Sequence, residues 1–121
     1  MNSDQKTDSI RIDILDGGVA VVTLHNPPAN AMDAEILTKF CDCLDSASAN
    51  SDVRALVVAA EGKAFCAGMD LKAVVDYDRA QQQATVNGLN RMVQTVYGFR
   101  TPTVVAITGH AIAGGLILAM S

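Results

Sequence analysis

The sequence predicts an α/β fold in which helices cross over between strands of a parallel sheet. The first observation is the order of elements: apolar runs of strand length alternate with segments whose apolar residues recur at helical spacing. The second is the run 53–60, whose centre is apolar without alternation, as is typical of a strand buried on both faces of a parallel sheet. Crossovers between such strands are right-handed in nearly all known cases.

The first elements form a hairpin and a loop. Apolar and polar residues alternate through 10–14, which predicts a half-buried strand. The turn signal Asp16-Gly17-Gly18 connects this strand to a β-branched run at 19–24, so we expect a hairpin. The two prolines within 25–30 predict a loop, because proline is excluded from helix interiors and central strands.

Two long helices and three further segments follow. Asp33 is the predicted N-cap of a helix to about Ala49, with one apolar face made of Ile36, Leu37, Phe40, Cys41, Leu44 and Ala47. After the strand at 53–60 and a polar stretch to about Gln83, a second helix is expected to run until Pro102 ends it. Its apolar side is predicted to hold Leu89, Met92, Val93, Val96 and Tyr97. The run 103–107 is a further predicted buried strand.

Two glycine-bearing loops organise the chain. The first, KAFCAGMDL at 63–71, turns an extended segment towards a short helix. The second, GHAIAGG at 109–115, repeats this arrangement before a helix that begins near Gly114. Such turns leave backbone N–H groups without partners, and two of them converging on one carbonyl oxygen make an oxyanion hole. Spacing alone leaves open the alternative that both are ordinary strand-to-helix turns.

Competing motifs are absent or incomplete. The sequence has no G-x-G-x-x-G, no G-x-x-x-x-G-K-[ST] and no G-x-S-x-G. Cys41 and Cys43 are interpreted as core residues, and His25 and His110 have no partners at zinc-ligand spacing. Cys66 stays open as an alternative nucleophile, although no base adjoins it in sequence.

Composition excludes several classes of partner. The chain has 121 residues, half of them apolar, which suits one domain with a buried core. The net charge of −4 and the lack of a Lys/Arg cluster argue against a nucleic-acid partner. No apolar run approaches membrane-spanning length, and the start resembles neither a signal nor a transit peptide. Three cysteines do not make a disulfide framework, so we expect a cytoplasmic location.

The two ends of the chain differ in character. Residues 1–8 are polar and are expected to form a disordered amino-terminal tail, with residues 9–121 forming a single unit. The segment 115–121 looks like the first turns of a buried helix, without a stop signal. We therefore expect its apolar surface to be covered, either by further chain, so that the domain is truncated at its carboxyl end, or by another subunit.

The motifs KAFCAGMDL and ITGHAIAGG together resemble those of the crotonase superfamily, the enoyl-CoA hydratases and isomerases, and the HNPPANAMD loop also matches. The resemblance runs from about Ile10 to Ser121. It implies the amino-terminal part of a crotonase-like spiral of ββα turns, in a homotrimer or a hexamer. It also implies an acyl-CoA thioester substrate and no cofactor, since coenzyme A is part of the substrate.

The resemblance also implies site residues. By motif position, the backbone N–H groups of Ala67 and Gly114 form the oxyanion hole. The stretch Ala67-Gly68-Met69-Asp70 is implied to line the acyl-CoA site. Asp70 is interpreted as the N-cap of the following helix rather than as a catalytic acid.

One departure from the family pattern bears on the reaction. Hydratases of the family carry a glutamate three residues after the glycine that corresponds to Gly114, and Ile117 stands there. Several family isomerases have an apolar residue at this position and use one carboxylate from a later segment, which here would lie beyond Ser121. We therefore expect isomerisation of a 3-enoyl-CoA to a 2-enoyl-CoA, with enoyl-CoA hydratase as the alternative enzyme. If the natural chain ends at Ser121, the alternative of another class is a non-catalytic acyl-CoA-binding or subunit-interaction fragment.

Overall fold

The structure, a computed structural model, describes residues 9–121, so the predicted tail at 1–8 lies outside the described residues. Six strands and four helices follow one another in the order β1 (Ile10–Leu15), β2 (Val19–Leu24), α1 (Ala34–Ala49), β3 (Ala55–Ala60), β4 (Ala64–Cys66), α2 (Leu71–Val74), α3 (Arg79–Tyr97), β5 (Thr103–Val105), β6 (His110–Ala111) and α4 (Gly114–Met120). Pairs of strands are each followed by helix along the chain, which confirms the predicted α/β class. Within the described part of the chain, no helix is both long and apolar enough to span a membrane.

The main sheet has the strand order β1-β2-β3-β5. β1 and β2 form the predicted antiparallel hairpin, with Ile10 opposite Leu24. β2 pairs with β3 in parallel, and β3 pairs with β5 in parallel. Parallel neighbours require crossover connections, and α1 and α3 provide them.

The prediction that the central strands are buried on both faces is wrong for the described residues. Leu56 and Val58 of β3 are fully buried, whereas Val57 between them is only half-buried. On β5, Val104 pairs with Val57 and is 61 % exposed. Side chains alternate between the two faces of a strand, so one face of the sheet packs into the core and the other stays open. The strand predicted at 103–107 also ends earlier, at Val105.

Helix α1 has the predicted boundaries. Asp33 is the N-cap, and its side chain accepts a hydrogen bond from the Ile36 N–H at 2.8 Å. All six residues of the predicted apolar face are buried. They pack against the covered face of the sheet and against α3, so the periodicity identified the core side of this helix correctly.

Helix α3 starts earlier and ends earlier than predicted. Asp78 caps it and forms a capping box with Gln81, in which each side chain accepts from the other residue's backbone N–H. The C-cap is Gly98, so the helix ends before Pro102 is reached. Tyr97, predicted on the apolar side, is the last residue of α3 and is 82 % exposed.

A second, two-stranded sheet pairs β4 with β6 in parallel, with Ala64 opposite His110. The strand β6 was not predicted, because it is only two residues long. This small sheet joins the two glycine-bearing loops and thereby places them side by side.

Candidate active site

The two loops meet where Gly68 faces Gly114. Gly68 has a φ of +88°, and a Cβ built on it would lie 2.9 Å from the Ile112 carbonyl oxygen and 3.1 Å from the Gly114 nitrogen. Both the left-handed backbone and the lack of space require glycine at this position. The contact brings the start of α4 against the turn that follows β4.

The second loop also depends on close backbone packing. A Cβ on Gly115 would lie 2.1 Å from the Cys66 carbonyl oxygen, a distance that real Cβ atoms do not reach. Residues 112–115 form a tight turn. In this turn the Gly115 N–H donates to the Ile112 carbonyl oxygen at 2.8 Å, and Ala113 adopts a φ of 50°. Positive φ is costly for alanine, so the surrounding contacts must impose this conformation. Glycine at 115 therefore permits the loops to touch.

A buried asparagine in the proline-containing loop supports the first glycine loop. The Asn30 side chain is almost fully buried, and its Nδ2 donates to the carbonyl oxygens of Glu61 at 2.8 Å and Ala64 at 2.9 Å. Its Oδ1 accepts from the Asn26 N–H at 2.8 Å. Sequence reasoning missed this residue. The signal that could have identified it is an asparagine in a turn, where asparagine tolerates the left-handed φ of 56° that Asn30 adopts.

The backbone hydrogen bonds decide which N–H groups are available to a ligand. The Ala67 N–H, predicted as an oxyanion donor, donates to the Ala29 carbonyl oxygen at 3.0 Å. The prediction of a free donor at Ala67 is therefore corrected by the structure, because the loop before α1 already uses it. Within residues 9–121, no group accepts a hydrogen bond from the backbone N–H of Met69 or from that of Gly114.

Strand pairing explains why Met69 is left unpartnered. Met32 forms a parallel bridge to Met69, in which the Met32 N–H donates to the Gly68 carbonyl and the Asp70 N–H donates to the Met32 carbonyl, each at 2.7 Å. In a parallel bridge the bonds go to the residues before and after the bridged one. The N–H of Met69 itself therefore points away from Met32.

Met69 and Gly114 line the same cavity, which has a volume of about 450 Å³. This volume lies within the range of small-molecule sites. The cavity lies between the two loops, α3 and α4, and is mostly apolar; its lining residues are Ala67, Met69, Leu71, Leu89, Asn90, Val93, Ile112, Ala113, Gly114 and Ile117. Among these residues of the described chain, none is an aspartate or a glutamate.

A second cavity adjoins the first. It has a volume of about 390 Å³ and is lined by the proline-containing loop and by 69–72. Met69 and Leu71 line both cavities, so the two cavities are adjacent at these residues. Asp70 lines this second cavity, and its carboxylate caps α2 by accepting from the N–H groups of Lys72 at 3.0 Å and Ala73 at 3.4 Å. The interpretation of Asp70 as a cap is confirmed.

The alternative of a Cys66 nucleophile is not supported. The thiol is fully buried and donates to the Asn30 carbonyl oxygen at 3.2 Å. Burial raises the pKa of Cys66, and the Gly68 N–H donating to Sγ offsets this only in part. A protonated, inaccessible thiol cannot attack a substrate. Cys41 is also fully buried, in agreement with its assignment to the core.

Comparisons with known proteins agree with this fold. A family model described as enoyl-CoA hydratase/isomerase matches residues 15–121. A curated protein of Bacillus subtilis (strain 168), described as a probable enoyl-CoA hydratase, is 35% identical over 108 residues, which is 88% of this chain and 42% of that protein.

Solved structures give the same picture. The enoyl-CoA hydratase from Bacillus anthracis superposes with a TM-score of 0.86 at 26% identity, over 93% of this chain and 44% of that one. The human mitochondrial delta3-delta2-enoyl-CoA isomerase also gives a TM-score of 0.86, at 24% identity, over 93% of this chain and 44% of that one. This second likeness shows the fold alone. The chain spans less than half of the length of each of these proteins.

Proposed function

The chain belongs to the enoyl-CoA hydratase/isomerase family, and on this basis we propose that it binds an acyl-CoA thioester and isomerises a 3-enoyl-CoA to a 2-enoyl-CoA. The observation that carries the proposal is a pair of unpartnered backbone N–H groups, at Met69 and Gly114, beside one apolar cavity. Unpartnered donors in a water-poor site stabilise charge that develops on an oxygen atom.

In this proposal the N–H groups of Met69 and Gly114 both donate to the thioester carbonyl oxygen. As a proton leaves the carbon next to the carbonyl, the negative charge moves onto that oxygen and an enolate forms. Each donor contributes on the order of 3 kcal/mol to this stabilisation. Returning the proton two carbons further along the chain shifts the double bond and completes the isomerisation.

The choice of isomerisation over hydration rests on the cavity lining. Addition of water needs one group to activate the water and another to protonate the product. Ile117, at the position of the hydratase glutamate in the family pattern, lines the cavity with an apolar side chain. An isomerase needs only one carboxylate to move the proton, and in this proposal that carboxylate is not among the ten cavity-lining residues.

We place the acyl chain in the cavity of about 450 Å³ and the coenzyme A part of the substrate towards the adjoining cavity of about 390 Å³. Met69 and Leu71, which line both, would then lie at the junction near the thioester. Coenzyme A is part of the substrate, so the proposal includes no separate cofactor. The homotrimeric or hexameric assembly and the cytoplasmic location stay predictions.

Enoyl-CoA hydration is the second candidate. The B. subtilis relative described as a probable enoyl-CoA hydratase favours it.

The test assays both reactions on the protein as its own host produces it. A 3-hexenoyl-CoA and a 2-hexenoyl-CoA are supplied separately, and products are separated by chromatography. We expect the double-bond shift to be the faster reaction. Faster addition of water would favour the second candidate, and binding of both thioesters without turnover of either would contradict an enzymatic role.

A pair of variants at one residue links either activity to the proposed site. Gly114→Pro removes the N–H and keeps a residue that suits the first position of a helix. Gly114→Ala keeps the N–H, and its Cβ would make an ordinary contact with Met32 at 3.5 Å. We expect kcat/KM of the proline variant to be about 100-fold or more below that of the alanine variant. Equal values would contradict the role of this N–H.

A further inference from the structure

One polar side chain lines the otherwise apolar cavity. Asn90 lies on α3 beside Leu89, and Val93 follows one turn later, so these three residues present one helix face to the cavity. Every other lining residue of the described chain has an apolar side chain or is glycine. A cavity that accepted only hydrocarbon would be better lined by an apolar residue here, because an amide loses its water when a ligand fills the space.

Among the described residues, the Asn90 amide also has no hydrogen-bond partner. Some other amide side chains of α3 have partners: Gln81 accepts from the Asp78 N–H at 2.9 Å, and Gln83 donates to Asn87 at 3.1 Å. For Asn90, residues 9–121 provide no such bond, and the residue is exposed and lines the cavity. Its donor and its acceptor are therefore both free to bind a ligand atom.

We propose that Asn90 determines specificity by hydrogen bonding to an oxygen atom on the acyl chain of the substrate. The preferred substrates are then acyl-CoA thioesters whose chain carries a hydroxyl or keto group, rather than plain fatty acyl thioesters. The proposal rests on the proposed function for the binding of an acyl-CoA, but not for the reaction that follows.

The lining favours a neutral oxygen over a charged group. No lysine or arginine lines this cavity within the described chain, so a carboxylate on the acyl chain would be desolvated without a counter-charge. A hydroxyl or a ketone needs only the hydrogen bond that an amide supplies. A buried polar group that finds its partner rejects analogues lacking that partner, since the unpaired amide would then be buried.

The experiment measures binding instead of turnover. Dissociation constants are determined by calorimetry for hexanoyl-CoA and for hexanoyl-CoA thioesters with a hydroxyl at the fourth, fifth or sixth carbon. The natural protein is compared with Asn90→Leu, with Asn90→Ala as a second variant in case the leucine variant does not fold. Asn87→Leu is the matched control, because it makes the same change on the same helix outside the cavity.

In the natural protein and in Asn87→Leu, we expect the dissociation constant of one hydroxylated thioester to be about three- to tenfold below that of hexanoyl-CoA. Both Asn90 variants should lose this preference while binding hexanoyl-CoA at least as tightly. An unchanged ratio in the Asn90 variants, or no preference for any hydroxylated thioester in the natural protein, overturns the proposal. Selective binding without isomerisation would support the role of Asn90 and contradict only the proposed reaction, whereas no binding of any thioester overturns both.

Discussion

The Ala67 N–H donates to the Ala29 carbonyl oxygen at 3.0 Å, across the gap between the proline-containing loop and the first glycine loop. This bond removes Ala67 from the set of free donors. It also fixes the start of the segment in which Met69, two residues later, keeps its N–H unpartnered. The choice of Met69 over Ala67 as one donor of the proposed pair therefore depends on a loop more than thirty residues earlier in the chain.

The first prediction concerns Asn30, which holds these loops together. Asn30→Ala should lower the free energy of unfolding by about 3 kcal/mol, measured by urea denaturation. The change leaves two part-buried carbonyl groups without their donor and places alanine at a positive φ. Asn87→Ala, on the exposed side of α3, is the control and should change stability by less than about 0.5 kcal/mol. Similar values for the two variants would show that the Asn30 network is not structural.

The second prediction separates two neighbouring glycines. Gly115→Ala should be severely destabilising, by more than about 3 kcal/mol, because its Cβ would overlap the Cys66 carbonyl. Gly114→Ala should stay within about 1 kcal/mol of the natural protein, since its nearest contact is 3.5 Å. Thermal and urea unfolding of the two variants provide the measurement. A well-folded Gly115→Ala would mean that the loops do not pack as closely as described.

The third prediction addresses the thiols. Cys66 should resist alkylation by iodoacetamide at about pH 8 until the protein is unfolded, because it is buried and its pKa is raised by that burial. Cys43, which is partly exposed, should react first. Peptide mapping by mass spectrometry after timed alkylation identifies each site. If Cys66 in the folded protein were labelled as fast as in a free peptide, the hypothesis that it is a nucleophile would be supported again.

The fourth prediction is a pH dependence of stability. Burial raises the pKa of Cys41, Cys43 and Cys66 above the ordinary value of 9.0. The unfolded chain then loses thiol protons first as the pH rises, so the unfolded state becomes favoured. The contribution of the protonated thiols to the free energy of unfolding should be fully present below about pH 8. It should fall as the pH rises past the ordinary thiol pKa. Urea denaturation of the natural protein and of Cys43→Ser tests this, and the variant should show the smaller fall; identical falls would assign the effect to other groups.

Local signals in the sequence predicted the parts of the fold that local interactions determine. The boundaries of α1 followed from the Asp33 cap and from six apolar residues at helical spacing. The start of α3 was missed because its first turns are exposed and carry no apolar pattern, although the Asp78/Gln81 capping box is visible in the sequence. The one-sided burial of β3 and β5 depends on what covers the sheet, which strand composition does not determine.

In the candidate site, too, local signals predicted some features, whereas long-range contacts determine the others. The motifs pointed to the two loops that meet beside the cavity, and within residues 9–121 the Gly114 N–H has no acceptor. The choice between Ala67 and Met69 depended on two long-range pairings, Ala29 with Ala67 and Met32 with Met69. Neither pairing leaves a periodic signal in the sequence, and the buried network of Asn30 is equally non-local.

The most direct test of the proposed oxyanion hole replaces single backbone amides by esters, which removes one N–H and keeps the side chain. α-Hydroxy acids introduced by nonsense suppression would make this change at Ala67, Met69 or Gly114, one at a time. We predict that the esters at Met69 and Gly114 each lower kcat/KM for a 3-enoyl-CoA by about 100- to 1000-fold. The ester at Ala67 should instead lower the unfolding free energy by about 1 kcal/mol, through loss of its bond to Ala29. A large loss of kcat/KM at Ala67 together with no loss at Met69 would contradict the assignment.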